Sequence, residues 1–248
     1  MSQRTLRTDT AGAASRPAPK LLRKVAVPYV PSTGPIGVTI VSPLYAHLAP
    51  EAVTRFQKHS GLEAVAVHTR EDVFTAKLHI DQHFGRPIVF FDVDLWLLRP
   101  FDFSTLSEYR WNAVPDPCAA KSNNFVGRDI AAQKWDQGSY FNSGLFACDL
   151  RRREIRQVFE DARRRLADTI ADNSIAPEDT TDQFYLNWAV QQQPGLFNPL
   201  PLNLNFFRYA IIHGAASGWP SDIVGLHAAG VPLNKKLETL TREALVFG

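Results

Sequence analysis

The chain has 248 residues, 45% hydrophobic and 21% charged, with a formal net charge of +2. These are ordinary globular values and suit one large α/β domain with a sizeable core, while the charge is too small to argue for nucleic acid. No stretch approaches the ~18 apolar residues of a membrane span, and two cysteines, Cys118 and Cys148, make no disulfide framework and suit a reducing cytoplasm.

Residues 1–35 are polar and lack the apolar core of a signal peptide, so a disordered or extended leader is expected there, with Pro28, Pro31 and Pro35 carrying it into a domain spanning 36–248. Ile36 to Val41 is β-branched and apolar, which predicts a strand. A helix is expected from Ala49 to His59, with Pro50 in its first turn and Gly61 after its end. "LEAVAV" predicts a second strand, Glu71 to Phe84 a second helix closed by Gly85, and residues 88–92 a third strand. This β-α-β-α-β order calls for a parallel sheet with right-handed crossovers. Further strands are expected at 111–117, 139–150 and 222–230, and helices at 152–170 and 179–192. The helix at 152–170 is amphipathic, with Ile155, Val158, Phe159, Ala162, Leu166 and Ile170 on one stripe. Its arginines fall opposite that stripe, interleaved with Glu154, Glu160 and Asp161, and describe a solvated face. The tryptophans are expected to pack in the core or at its rim. No Pro/Ser-rich break follows residue 36, so the expectation is a single domain.

"VFFDVDLWLLRPFD" places Asp92 and Asp94 at the end of an apolar run. A strand ending in a turn, its carboxylates in water, would account for them. So would a cation site. An extended chain points both carboxylates to one side, where two like charges repel and are costly to desolvate. A divalent cation removes both costs, and carboxylate oxygen suits Mg²⁺ and Mn²⁺. Ligands of open α/β sheets bind beyond the carboxyl ends of strands, where this pair falls.

Four further features bear on that choice. Asp116 stands between two prolines at a strand end, where a turn aspartate is equally expected. Asn142 and Ser143 interrupt an apolar strand and need partners, and Gly144 beside them permits close approach of a ligand. Asp182 and Gln183 stand at a helix start with Asn187 one turn on, and Asp179 is a candidate cap. His227 follows an apolar run, where a lone histidine is more often structural. As a third ligand beside Asp92 and Asp94 it gives an oxygen-plus-imidazole set that suits Mn²⁺ better than Mg²⁺.

In chain order these segments resemble the motifs of the family-8 retaining glycosyltransferases of the GT-A fold, the group that includes glycogenin and bacterial lipopolysaccharide galactosyltransferases. "FTAKLH" resembles the helix segment whose lysine lies near the donor, and "VFFDVDLWLLRP" the DxD strand. "VPDPC" and "YFNSGLF" resemble the donor-sugar segments. "TDQFYLN" is similar to the DQ-x-x-x-N helix start, "PLPLNLNF" to the LP-x-x-x-N segment after it, and "LHAAG" to the first half of HxxGxxKPW. The similarity covers residues 36 to 236 in fragments. After Gly230 the chain departs from the pattern: "VPLNKK" has no lysine at the family's spacing and no tryptophan, which leaves Lys235 and Lys236 as replacements.

The resemblance implies one mostly parallel, mixed central sheet with helices on both faces, Rossmann-like. It implies transfer of a hexose, with retention, from a nucleotide diphosphate sugar (UDP-linked) to a hydroxyl of a saccharide or other acceptor. Asp92, Asp94 and His227 would hold Mn²⁺ or Mg²⁺, with Asp94 also reaching the ribose. Lys77 and one of Lys235 and Lys236 would pair with phosphate, and Tyr45 would contact the base. Asp116, Asn142, Ser143, Asp182 and Gln183 would hold sugar hydroxyls, and Asp182 and Gln183 are the catalytic candidates: Gln183 would lie near the reacting face but is a poor nucleophile, and Asp182 is the other candidate. Peripheral contact with a membrane surface is compatible with such an acceptor. Two other readings compete. One is a nucleotide-sugar-binding module without activity, motivated by the altered HxxGxxKPW. The other is a haloacid-dehalogenase-like phosphatase, which also carries DxD after an apolar strand but near the N-terminus.

Overall fold

The computed structural model describes residues 34–70, 72–120, 133–172, 181–207, 211 and 218–247. Residues 1–33 of the expected leader (1–35) and the candidate cap Asp179 lie outside these residues.

β1 (Ile36–Val41), β2 (Ala64–His68) and β3 (Pro87–Phe91) pair in parallel, as the β-α-β-α-β order requires. β6 (Phe141–Asp149) then runs antiparallel between β3 and β5 (Trp111–Pro115), and β7 (Phe197–Pro199) adds a parallel edge to β5. The order of this six-stranded sheet is β2-β1-β3-β6-β5-β7. It is a mixed, mostly parallel sheet with helices on both faces.

Side-chain alternation sorts the core into two layers. Val89, Phe91, Leu145 and Ala147 face α1 (Ala49–Ser60) and α5 (Leu233–Phe247). Ile88, Phe90, Phe146 and Cys148 face α3 (Arg153–Ala171) and α4 (Asp182–Gln191). Strands buried on both sides must be apolar throughout, which is why β1 and β3 read as continuous hydrophobic runs. Gly37 is small for a reason of packing, since a Cβ there would collide with the ring of Phe56 on α1.

Three expectations are corrected. The helix expected over 71–84 is α2 (Val73–Lys77) followed by a 3₁₀ turn at Ile80–Gln82. The Leu78 carbonyl accepts from the Arg163 guanidinium at 2.6 Å, and Asp81 pairs with the same arginine. Side-chain partners from α3 thus replace the next turn of helix. The strand expected over 222–230 is only β9 (Gly225–His227) and lies outside the main sheet. It joins β4 (Leu95–Leu97) and β8 (Phe206–Phe207) in a separate three-stranded sheet, order β4-β9-β8. The third correction is α5 itself, which the sequence reading passed over although Leu240 and Ala244 lie on one helical face in the core. The arginine-bearing helix α3 behaves as expected, with Ile155, Val158, Phe159 and Ala162 buried. Trp96 and Trp111 are core residues, and Trp219 stacks on Phe247 at 4.7 Å.

Candidate active site

The aspartate pair sits on the turn that joins the two sheets. Leu95 N–H donates to Asp92 C=O at 2.9 Å, so residues 92–95 form a tight turn instead of the extended strand end expected from alternation. Asp92 N–H is tied to Gly144 C=O of β6 at 2.8 Å, and Asp94 C=O accepts from Ala228 N–H at 2.9 Å just past β9. The turn is therefore held from the large sheet on one side and the small sheet on the other, and both carboxylates converge on His227. Its Nε2 lies 3.6 Å from Asp92 Oδ2 and 3.3 Å from Asp94 Oδ1. One ligand atom from each of these three residues falls within 4.8 Å of the others, a spacing that one cation could bridge. Two carboxylates and an imidazole are a donor set that suits Mn²⁺.

The orientation of His227 follows from a chain of buried side chains. Asp116 accepts from Cys118 N–H at 2.8 Å, from Gln183 Nε2 at 3.0 Å and from Asn142 Nδ2 at 3.4 Å. A carboxylate only accepts, so Asn142 must turn its NH₂ toward Asp116 and its Oδ1 away. That oxygen accepts from Gly144 N–H and from Asn205 Nδ2, both at 2.9 Å. Asn205 then presents Oδ1 to His227 Nδ1 at 2.9 Å. The imidazole must carry its proton on Nδ1, which leaves Nε2 free to coordinate beside the aspartates. Gly144 makes room for this arrangement. A Cβ there would collide with the His227 ring, so this glycine permits the close approach of His227 in the wall of the cavity.

Two lysines complete the cluster. Lys77, at the end of α2, lies 3.0 Å from Asp92 Oδ1 and 2.9 Å from Asp182 Oδ2, donates to Ser143 C=O at 3.3 Å and sits over the Phe90 ring. Burial disfavours its ammonium, but Asp182 and Asp92 outweigh that and hold it above the usual lysine range. Burial likewise opposes the charge of Asp94, and the Lys236 ammonium on its Oδ2 helps hold that carboxyl well below the usual range. Lys236, in the first turns of α5, lies 2.5 Å from Asp94 Oδ2 and 2.6 Å from Ala228 C=O. Gly230, in the left-handed region at φ +74°, turns the chain from β9 toward α5 and so brings Lys236 back over the pair. The structure thus separates the two candidates: Lys236 is buried in the site, and Lys235 is exposed and outside it.

These groups line a cavity of about 280 Å³ together with Tyr45, Asn142, Ser143, Asp182 and Gln183. Asp116 is not in its wall. It lies behind, buried, holding Asn142 and Gln183, and burial pushes its carboxyl above the usual range. Asp182 lines the cavity but faces Lys77, and burial raises its carboxyl as well. Gln183 accepts from Ser143 N–H at 3.2 Å. Asn187 joins α4 to β6: its amide accepts from Phe141 N–H at 2.9 Å and donates to Phe141 C=O at 2.8 Å. Phe141 stands opposite Pro115, which has no N–H to give. Two positions had no role in the sequence reading. Asn205 was present in the "PLPLNLNF" segment, and Asn187 in "TDQFYLN"; their polarity amid apolar neighbours was the available signal.

No protein-family model and no curated protein matches the chain by sequence. By structure it is similar to the galactosyltransferase LgtC in complex with donor and acceptor sugar analogues, with a TM-score of 0.56 at 12% identity over 84% of this chain and 95% of that one. An active-site mutant of LgtC, with glutamate for glutamine, matches at 0.57 and 12% over the same shares. The apo structure of the bifunctional glycosyltransferase WbbM matches at 0.57 and 13%, over 91% of this chain and 53% of that one. At these identities the likeness is one of fold. That fold is the GT-A architecture, a mixed α/β sheet with helices on both faces, and in this chain the aspartate pair follows the end of β3.

Proposed function

We propose that the chain is a metal-dependent hexosyltransferase that moves a hexose from a nucleotide diphosphate sugar, UDP-linked, to a hydroxyl of a saccharide or other acceptor, with retention at the anomeric carbon. The observation that carries this reading is the convergence of Asp92, Asp94 and His227 beside two lysines in the wall of one cavity. In the reaction the bond from the anomeric carbon to the diphosphate oxygen breaks. The acceptor oxygen bonds to that carbon, and its proton passes to the departing diphosphate oxygen. Charge gathers on the departing diphosphate, and a cation held by Asp92, Asp94 and His227 would supply Lewis-acid stabilisation for it. Lys77 and Lys236 would pair with phosphate oxygens as point charges. Tyr45 supports a contact with the base, and Asn142, Ser143 and Gln183 line the cavity where sugar hydroxyls would need paired donors and acceptors. Asp116 would act through Asn142 and Gln183, not on the sugar itself. Asp182, against Lys77, would set the position of that ammonium as well as face the sugar.

A module that binds donor without turnover is disfavoured by Lys236, because the lysine missing from the sequence pattern has a counterpart in the cavity. Against the phosphatase reading stands the fold, which is similar to that of a galactosyltransferase over 84% of the chain. No helix among the described residues is long and apolar enough to cross a membrane. Cytoplasmic residence rests on the buried thiols of Cys118 and Cys148, which form no disulfide. Burial and the nearby Asp116 push the Cys118 thiol up to about 12, so it is no nucleophile.

Thermal melting with Mn²⁺ and UDP tests the reading. At ~100 times Kd a ligand adds about 2.7 kcal/mol, roughly 5–10 °C for a domain of this size. Asp92→Asn is the cleaner ligand variant, because Lys77 keeps Asp182, whereas Asp94→Asn leaves the buried Lys236 ammonium without a carboxylate. Asp92→Asn should lose the Mn²⁺-dependent part of the shift and at least ~100-fold of transfer. A full shift and unchanged turnover in that variant would remove the pair from the metal site.

A further inference from the structure

Each aspartate of the turn offers one oxygen to His227 and the other to a lysine, and the two lysines are held differently. Lys77 is fixed by two carboxylates, a backbone carbonyl and a ring face. Lys236 has one carboxylate and one carbonyl, and its ammonium lies 5.9 Å from the centre of the Tyr45 ring at the cavity wall. Three carboxylates (Asp92, Asp94, Asp182) face two ammonium groups, which leaves one negative charge before His227 is counted. An arriving dication therefore meets a pair whose charge is largely neutralised, with an ammonium on the Asp94 oxygen.

We infer that Lys236 is an internal counter-cation: with no donor bound it occupies Asp94 and opposes the divalent ion, and when a nucleoside diphosphate enters it exchanges Asp94 for phosphate. The inference rests on the metal site proposed above. Lys236 weakens metal binding in the empty protein and strengthens nucleotide binding in the loaded one. Metal and nucleotide must then promote each other's binding by the same factor, part of which is removed with the ammonium. Cation-free protein keeps a buried, paired Asp94 in place of an uncompensated charge, and the cation is retained chiefly when the donor is there to be used.

The test is calorimetric titration of Mn²⁺ into wild type, Lys236→Gln and Lys236→Arg, each without and with saturating UDP. Lys236→Gln keeps a donor for Asp94 and Ala228 C=O but removes the charge, and Lys236→Arg keeps the charge. Lys236→Gln should bind Mn²⁺ alone at least ~10-fold more tightly than wild type and bind UDP at saturating Mn²⁺ at least ~10-fold more weakly. Lys236→Arg should stay near wild type for Mn²⁺ alone. In melting curves Lys236→Gln should lose stability without metal and regain it with Mn²⁺ alone. Mn²⁺ affinity unchanged or weaker in Lys236→Gln overturns the inference and leaves the metal site standing. If the glutamine variant does not fold, Lys236→Met takes its place in the same titration. Absence of Mn²⁺ binding in every protein, with or without UDP, sinks the metal site and the inference with it.

Discussion

Asn205→Leu removes one link in the chain from Asp116 to His227 while keeping side-chain volume. Asn205 is buried, and in the wild type its Oδ1 accepts from His227 Nδ1 at 2.9 Å while its Nδ2 donates to Asn142 Oδ1 at 2.9 Å. Asn142 Oδ1 keeps Gly144 N–H, so that end of the break stays satisfied. The His227 Nδ1–H is left without an acceptor, and an orphaned buried donor costs about 1–3 kcal/mol. At roughly 2–4 °C per kcal/mol for a domain of this size, the melting temperature should fall by about 2–12 °C. The second effect is on coordination. With Nδ1 unpaired the proton is free to sit on Nε2, the nitrogen that faces Asp92 and Asp94, and the ring is free to rotate. Loss of such an outer partner typically costs ~10–100-fold in metal affinity. Calorimetric titration of Mn²⁺ beside a melting curve reads both effects. A variant that melts earlier but binds Mn²⁺ as tightly as wild type would falsify the relay and reduce Asn205 to a packing residue.

Asn187→Leu tests what holds α4 to β6: it orphans Phe141 N–H and C=O, so thermal denaturation should report a loss of about 2–6 kcal/mol, two groups at ~1–3 kcal/mol each. The same variant should lower transfer, because Gln183 and Ser143 meet across that junction; a melting point within a degree or two of wild type counts against the clamp. Asp182→Asn leaves Lys77 with Asp92 as its one carboxylate, so kcat should drop at least ~10-fold while UDP affinity changes little. Equal loss of UDP affinity and turnover would mean that Asp182 serves only to place Lys77 on the phosphates.

Much of this protein was legible in its sequence because the signals are local. Apolar runs gave β1, β3 and β6, and helical spacing gave α3, since these patterns are written in consecutive side chains. The aspartate pair, Asn142-Ser143-Gly144 and His227 stood out as polar or small residues in apolar surroundings, and the order of such segments carried the resemblance that the fold bears out. What tertiary structure alone decided is which of these groups meet. Nothing in "VPLNKK" distinguishes Lys235 from Lys236, because the choice depends on how α5 is phased against a turn 142 residues earlier. The tight turn at 92–95, not strand alternation, brings the aspartates together, and β6 and β9 fix it from opposite sides. The antiparallel insertion of β6, the separate sheet of β4, β8 and β9, and the retreat of Asp116 behind the cavity all arise from pairings distant in sequence. Local propensity is silent on such pairings, because their free energy comes from burial and from hydrogen bonds that exist only once the chain has closed on itself.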